Sequence, residues 1–284
     1  MSSAVDAVSN RTSRPAMPWA LWLRQIAAIL RFELHKNFFG RRAILIYLLA
    51  LLPLFPLLLF VLFAPFESDG NPVAVREIYA NLYNGVILRT IVFFGCAWIF
   101  MNLFRGEIVD RSLHYYFLSA VRREVLVVGK YLSGLVTTVV VFTATTWISL
   151  LMLYLSRFHP QGFFQGPGLN HLLVYGGITL LACIGYGAFF SIVGLFVRNP
   201  IIPALLLYGW EWLNFLLPPL LKKISVIHYL NSLMPVPISE GPFAVLAEPT
   251  PAWIAVPSML GVTVIVLALA GYRIRHMEIR YGSD

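Results

Sequence analysis

Charged residues are scarce in this 284-residue chain, at 12% of the sequence. Soluble globular domains carry about 25% charged residues, so the composition excludes an ordinary soluble domain. Hydrophobic residues make up 59%, and the mean hydropathy is +0.77. The sequence therefore predicts an all-α, polytopic membrane protein.

Cysteine is equally scarce, and Cys96 and Cys183 both lie in apolar runs. This placement favours packing thiols over a disulfide framework or a metal site. The six histidines lie near the ends of apolar segments or in connections, and no Ser/His or paired-Asp arrangement accompanies them. We therefore expect no catalytic residues, metal or cofactor in this chain, which argues against a membrane-embedded enzyme.

The formal net charge is +8, but the basic residues stand at the ends of apolar segments and form no continuous patch. Membrane lipid headgroups are thus the expected partners, and nucleic acid is not. The apolar runs predict six transmembrane helices, since about 20 residues cross the hydrocarbon layer. The predicted spans cover residues 43–64, 82–103, 131–155, 171–197, 201–217 and 253–272.

The remaining segments complete a six-span domain over residues 43–273. Residues 1–17 are expected to be a disordered tail, and residues 220–251 form a long external connection between the last two spans. Pro53 and Pro56 lie within the first span and predict a kink there. Residues 274–284 are expected to form a cytoplasmic tail.

Residues 18–42 show helical periodicity before the first span. The apolar positions recur every three or four residues, and basic residues fall mostly between them. The apolar set is Trp19, Trp22, Leu23, Ile26, Leu30, Leu34 and Phe38. This pattern predicts an amphipathic helix at the membrane interface, with a helix packed on a soluble partner as the alternative.

The distribution of lysine and arginine predicts the orientation. With both termini in the cytoplasm, the inside regions hold 16 Lys and Arg residues, and the outside regions hold four. Because cytoplasmic loops are enriched in these residues, the chain is expected to be N-in and C-in.

The connection between the second and third spans, residues 104–130, is the only sizeable charged island between long apolar segments. Its core, Arg105–Lys130, carries eight charged residues in 26 positions. Apolar residues at helical spacing predict two short surface helices around a turn near Ser119–Ala120. The segment continues directly into the third span, so it would move together with any partner that docks on it.

This segment resembles the cytoplasmic motif of ABC-2 type transporter permeases. The matching run reads Glu107-x-x-Asp110-x-x-Leu113-x-x-x-x-Leu118-Ser119-x-x-Arg122-x-Glu124-x-x-x-x-Gly129-Lys130. It departs from the family pattern at Arg111-Ser112, at His114 and at Ala120. The amphipathic first helix, the six spans and the long last external connection also agree, so the resemblance covers almost the whole chain.

The resemblance implies a transmembrane subunit of an ATP-binding cassette exporter in the bacterial inner (plasma) membrane. Two such chains, expected to form a homodimer, would work with cytoplasmic ATP-binding subunits through a coupling helix in residues 104–130. The implied coupling residues are Glu107, Asp110, Leu113, Tyr116, Phe117, Arg122, Arg123 and Glu124. The alternative for each charged residue is that its side chain is simply solvated at the interface. A hydrophobic or amphipathic substrate is expected.

The chain itself is not expected to bind ATP. Ahead of Gly129-Lys130, Glu124 stands where a phosphate-binding loop needs glycine, and Tyr131 replaces the Ser or Thr that would bind magnesium. ATP and Mg²⁺ are therefore expected on the partner subunit. The alternative function from another class is a non-transporting membrane anchor that recruits a soluble complex.

Two charged residues fall inside predicted spans, Arg89 in the second and Glu211 in the fifth. Each costs about 2.5–3.5 kcal/mol at the centre of a membrane helix. A structural pair or a snorkelling arginine is one interpretation, and a substrate path is the other.

Overall fold

The computed structural model describes residues 18–63, 72–109, 122–157, 166–197, 199–238, 244–245 and 247–275, and within these ranges it is helical without strands. The α-helices are α1 (Pro18–Phe39), α2 (Arg41–Leu51), α3 (Leu54–Phe63), α4 (Pro72–Leu82), α5 (Phe93–Val109), α6 (Arg123–Arg157), α7 (Gly168–Phe196), α8 (Ile201–Trp212), α9 (Pro219–Lys222), α10 (Val226–Ser232) and α11 (Ala252–Arg275). A π-helix, Tyr83–Val92, joins α4 to α5, and a 3₁₀ turn, Leu213–Leu216, follows α8.

Within the described ranges, five helical stretches are long and apolar enough to cross a bilayer, in agreement with a multi-pass membrane protein. They are Ala43–Phe63, Val75–Gly106, Arg123–Tyr154, Gly168–Phe196 and Ala252–Arg275. The fifth predicted span, residues 201–217, corresponds to the shorter apolar stretch Ile201–Leu216. At 1.5 Å per residue it reaches only about 24 Å, against a hydrocarbon core of about 30 Å.

Two spanning stretches have irregular backbone. The first breaks at Leu52–Pro53, where α2 ends and α3 begins at Leu54, because proline removes a backbone donor and collides with the preceding turn. The second contains the ten-residue π-helix, in which the Thr90 hydroxyl donates to the carbonyl of Gly85 at 3.1 Å. Such π-helical stretches are rare.

The centre of the bundle is formed by α5, α6 and α7, and the first and last spans lie outside them. In the second, third and fourth stretches, 67–72% of the most apolar 18-residue segment is buried inside the bundle. In the first and last stretches, only 22% and 28% of that segment is buried. Close packing uses glycine, as small residues allow in membranes. A methyl group at Gly95 would overlap the ring of Phe142, and one at Gly194 would lie 3.0 Å from the carbonyl oxygen of Met101.

The connection after α8 folds back onto the spans. A Cβ atom at Gly185, within α7, would lie 3.6 Å from Val226 at the start of α10. The backbone amide of Thr250 donates to the Ser232 hydroxyl at 3.0 Å, which ties the end of the connection to α10. Within the predicted external connection 220–251, the Val245 amide donates to the Phe215 carbonyl at 2.9 Å, whereas residues 239–243 and 246 lie outside the described ranges.

Candidate functional site

The connection between the second and third spans is shorter than the predicted range of residues 104–130. Helix α5 continues to Val109 and α6 begins at Arg123, so much of residues 104–130 is helical extension of the two spans. Asp110, Leu113, Tyr116 and Phe117, together with the predicted turn at Ser119–Ala120, lie outside the described residues. Glu107 lies in α5, but its side chain is likewise outside the description.

A buried ion pair joins α1 to the start of the third span. The Lys130 ammonium donates to Glu33 Oε1 at 2.9 Å and to the Leu103 carbonyl at 3.1 Å. Both side chains are buried, with 0% of Lys130 and 5% of Glu33 exposed. Because a buried charge is strongly destabilising without its partner, this pair fixes α1, α5 and α6 relative to each other.

Further contacts extend this pairing, and they place α1 parallel to the first four turns of α6. The Arg122 guanidinium lies 4.8 Å from the centre of the Trp22 ring, just before α6 begins. A Cβ atom at Gly129 would lie 3.0 Å from the Ile29 side chain. Farther along both helices, Asn37 Nδ2 donates to the Thr137 hydroxyl at 3.4 Å. The amphipathic helix therefore packs along the third span.

The end of the last span is attached at the same place. Arg123 Nη1 donates to the carbonyls of Ile274 and Arg275 at 3.3 and 3.0 Å. These carbonyls belong to the last turn of α11, where backbone acceptors lack intrahelical donors and the helix dipole attracts cations. Glu124 lies 3.9 Å from the Arg275 guanidinium. We call the group Glu33, Leu103, Arg123, Glu124, Lys130 and Arg275 the helix-end clamp.

The helix-end clamp includes two predicted site residues, Arg123 and Glu124. Its other four residues, Glu33, Leu103, Lys130 and Arg275, are not among the predicted site residues, although Lys130 belongs to the Gly129-Lys130 motif. Glu33 is the only acidic residue in α1, four residues after Ile29 on the face that meets α6. A single acid on the packed face of a basic helix is the signal that could have identified it.

The two charged residues inside predicted spans lie near each other at the end of α8. Glu211, which is 1% exposed, accepts hydrogen bonds from the Ser225 hydroxyl at 2.7 Å and from the amides of Val226 and Ile227 at 3.1 and 2.9 Å. Its carboxylate thus caps the amino end of α10, where unpaired amides favour an anion.

Arg89 reaches the same region from the π-helix. Its Nη1 donates to the Trp212 carbonyl at 3.4 Å, and its guanidinium lies 5.9 Å from the Trp212 ring centre. Glu211 and Arg89 are close enough to interact electrostatically. The structure brings the two predicted residues together, with Glu211 also occupied as a helix cap.

A buried tyrosine network, absent from the sequence prediction, joins α4, the π-helix, α6 and α7. The Tyr83 hydroxyl contacts the Thr179 hydroxyl at 2.8 Å, which in turn contacts the Thr146 hydroxyl at 3.1 Å. The Tyr79 hydroxyl donates to the Thr146 carbonyl at 2.9 Å. The Tyr175 hydroxyl is buried without a hydrogen-bond partner in the described part of the chain.

Among the described residues, no group of three or more His, Cys, Asp and Glu side chains could hold a metal ion. No family model matches the chain, and neither a curated protein nor a solved structure shows significant similarity to it.

Proposed function

We propose that this chain is the transmembrane permease subunit of an ABC-2 type exporter. It would move a hydrophobic or amphipathic substrate with ATP hydrolysed by a separate cytoplasmic subunit. The observation that carries the proposal is the helix-end clamp, which joins four helices at the two ends of the charged connection. A partner that moves this connection would act on all four helices at once.

The contacts suggest how motion would be transmitted. The residues between Val109 and Arg123 join the second span directly to the third. From α6, the Glu33–Lys130 pair carries displacement to α1, and the hydrogen bonds of Arg123 carry it to the end of α11. Because packed helices shift as rigid units between discrete arrangements, a push on the connection would reorient several spans together.

The proposed transporter is an assembly of several chains. Two copies of the chain would pair in the bacterial inner membrane, with ATP and Mg²⁺ on the partner subunits. Large apolar side chains on α2 and α8 are exposed, with Ile44 at 68% and Leu206 at 71%. These helix faces would contact lipid or the second copy. Apolar faces of this kind need a nonaqueous neighbour.

The test is purification of the tagged, full-length chain from its native membranes in mild detergent. Mass spectrometry would identify the proteins that co-purify, and an ATPase assay would be run on the eluate. We expect an ATPase with a phosphate-binding loop. Reversal of the exposed charge in Arg122→Glu should reduce its recovery at least severalfold, whereas Arg24→Glu, an exposed charge on α1, should not.

Two outcomes would contradict the proposal. Recovery of no nucleotide-binding subunit, under conditions that keep other membrane complexes intact, would refute it. Recovery of a soluble complex without ATPase activity, lost with Arg122→Glu, would favour the membrane-anchor function instead. A transporter should lose stimulated ATPase activity and export together, whereas an anchor should lose recruitment alone.

A further inference from the structure

A cavity of about 540 Å³ lies between α7, α8, α11 and the chain around α10. Its volume falls within the range of about 300–1,000 Å³ that is usual for ligand pockets. Most of its wall is apolar, with Leu207, Val226, Met259 and Val266 among the lining residues. The Glu211 carboxylate also lines it, but both oxygens are occupied by the cap of α10.

The cavity lies at bilayer depth. Gly185, which lines it, is roughly 26 Å from one end of α7 and roughly 17 Å from the other at 1.5 Å per residue. The mouth is marked by lining residues that are themselves exposed, Val262 at 60% and Ile224 at 69%. Val262 is near the middle of a spanning helix, so the cavity opens towards the hydrocarbon of the membrane.

One exposed cation, Lys223, stands at this mouth. It precedes Val226 by three residues, a distance of at most about 11 Å of chain, and Val226 packs beside Gly185. Gly185 lies near the middle of α7, and the hydrocarbon core extends only about 15 Å to either side of its centre. The Lys223 backbone therefore lies within this core or at its border. A lysine at this depth is costly unless its ammonium reaches an anion or water, and the described residues provide no salt bridge to it.

The wall also contains a hydrogen-bond donor without an acceptor. Thr263 is 6% exposed, and its hydroxyl is buried with no partner in the part of the chain that the structure describes. A buried hydroxyl without a partner carries a desolvation penalty. Because water does not reach this oxygen, it lies behind the surface of the cavity and takes no part in ligand recognition.

We propose that the cavity binds one acyl chain of an anionic membrane phospholipid, whose phosphate pairs with Lys223. The apolar wall accepts the hydrocarbon, the lateral mouth admits it directly from the bilayer, and the lysine supplies the complementary charge. The site requires only a chain inserted in lipid. Its test is thus independent of whether an ATP-binding subunit exists.

The experiment uses the full-length chain in lipid nanodiscs that contain phosphatidylglycerol with a diazirine in the middle of one acyl chain. Matched nanodiscs contain phosphatidylcholine with the same diazirine chain. After illumination, mass spectrometry maps the labelled peptides. We expect labelling within residues 207–229 and 258–266, at least threefold stronger with phosphatidylglycerol.

Two variant pairs sharpen the test. Val262→Trp places a bulky ring at the mouth and should lower cavity labelling at least fivefold, whereas Val264→Trp, at a 66% exposed position of the same helix outside the cavity lining, should leave it unchanged. Lys223→Gln should reduce phosphatidylglycerol labelling to the phosphatidylcholine level, and Lys223→Arg should retain it.

Equal labelling of the cavity peptides by the two lipids would overturn the proposal, and so would labelling that Val262→Trp leaves intact. The comparison of the two lipids on the wild-type chain needs no variant, so it decides the matter even if a substituted chain fails to fold.

Discussion

Removal of the Glu33 carboxylate should destabilise the chain strongly. In Glu33→Gln the Lys130 ammonium, which is 0% exposed, loses the carboxylate charge that lies 2.9 Å away. Breaking a buried ion pair from one side typically costs about 3–5 kcal/mol. At about 2 °C per kcal/mol for a chain of this length, the thermal midpoint should fall by roughly 6–10 °C.

The chain offers a matched control on the same oxygen atom. Lys36 Nζ lies 3.8 Å from Glu33 Oε1, but its side chain is 47% exposed. An exposed pair contributes about 0–1 kcal/mol, so Lys36→Gln should lower the midpoint by no more than about 2 °C. The double variant Glu33→Gln/Lys130→Met should recover most of the loss, because it removes both buried charges.

The assay is the thermal unfolding midpoint of each purified variant in one detergent, followed by intrinsic tryptophan fluorescence. Equal shifts of the midpoint in Glu33→Gln and Lys36→Gln would show that the buried ion pair stabilises the chain no more than the exposed one. A double variant less stable than Glu33→Gln alone would contradict the expected recovery.

The same measurement checks three further predictions. Gly95→Ala should cost about 1–3 kcal/mol through overpacking, whereas Gly177→Ala, where an added Cβ meets nothing within 4 Å, should be neutral or slightly stabilising; equal losses would contradict this. Glu211→Ala leaves three donors without their acceptor and should cost at least about 3 kcal/mol of stability. Glu211→Gln keeps one carbonyl oxygen and should cost less. The opposite order of the two losses would exclude the capping role. Tyr83→Phe should cost about 1 kcal/mol, but Tyr175→Phe should not destabilise, because the Tyr175 hydroxyl has no partner among the described residues; a larger loss at Tyr175 would contradict the network.

The spans could be predicted because the bilayer imposes a length of apolar chain on every crossing helix. Five of the six predicted spans correspond to stretches that are long and apolar enough to cross. Their ends were harder to place, since charged residues such as Arg123 and Lys130 continue α6 as a helix. Charged residues usually face water, so the sequence predicts that they belong to the connection. Contacts with their tertiary partners stabilise them as part of the longer helix.

The contacts of the candidate site could be predicted only in part. Lys130 and Glu33 are separated by 97 positions, and neither hydropathy nor motif spacing relates them. The cap formed by Glu211 depends on the chain folding back after α8, which a proline-rich connection does not specify. The π-helix also has no clear signal in its sequence, because apolar residues of a span satisfy either helical period.

Photo-crosslinking in living cells would identify the partner that the charged connection contacts. A photoreactive amino acid would replace Phe117, and in a control it would replace Trp253, a 76% exposed residue at the opposite end of α11 from Arg275. If the charged connection docks on an ATP-binding subunit, the Phe117 position will crosslink to an ATPase with a phosphate-binding loop and the Trp253 position will not. Absence of any such ATPase among the Phe117 products, or equal crosslinking from both positions, would contradict this docking.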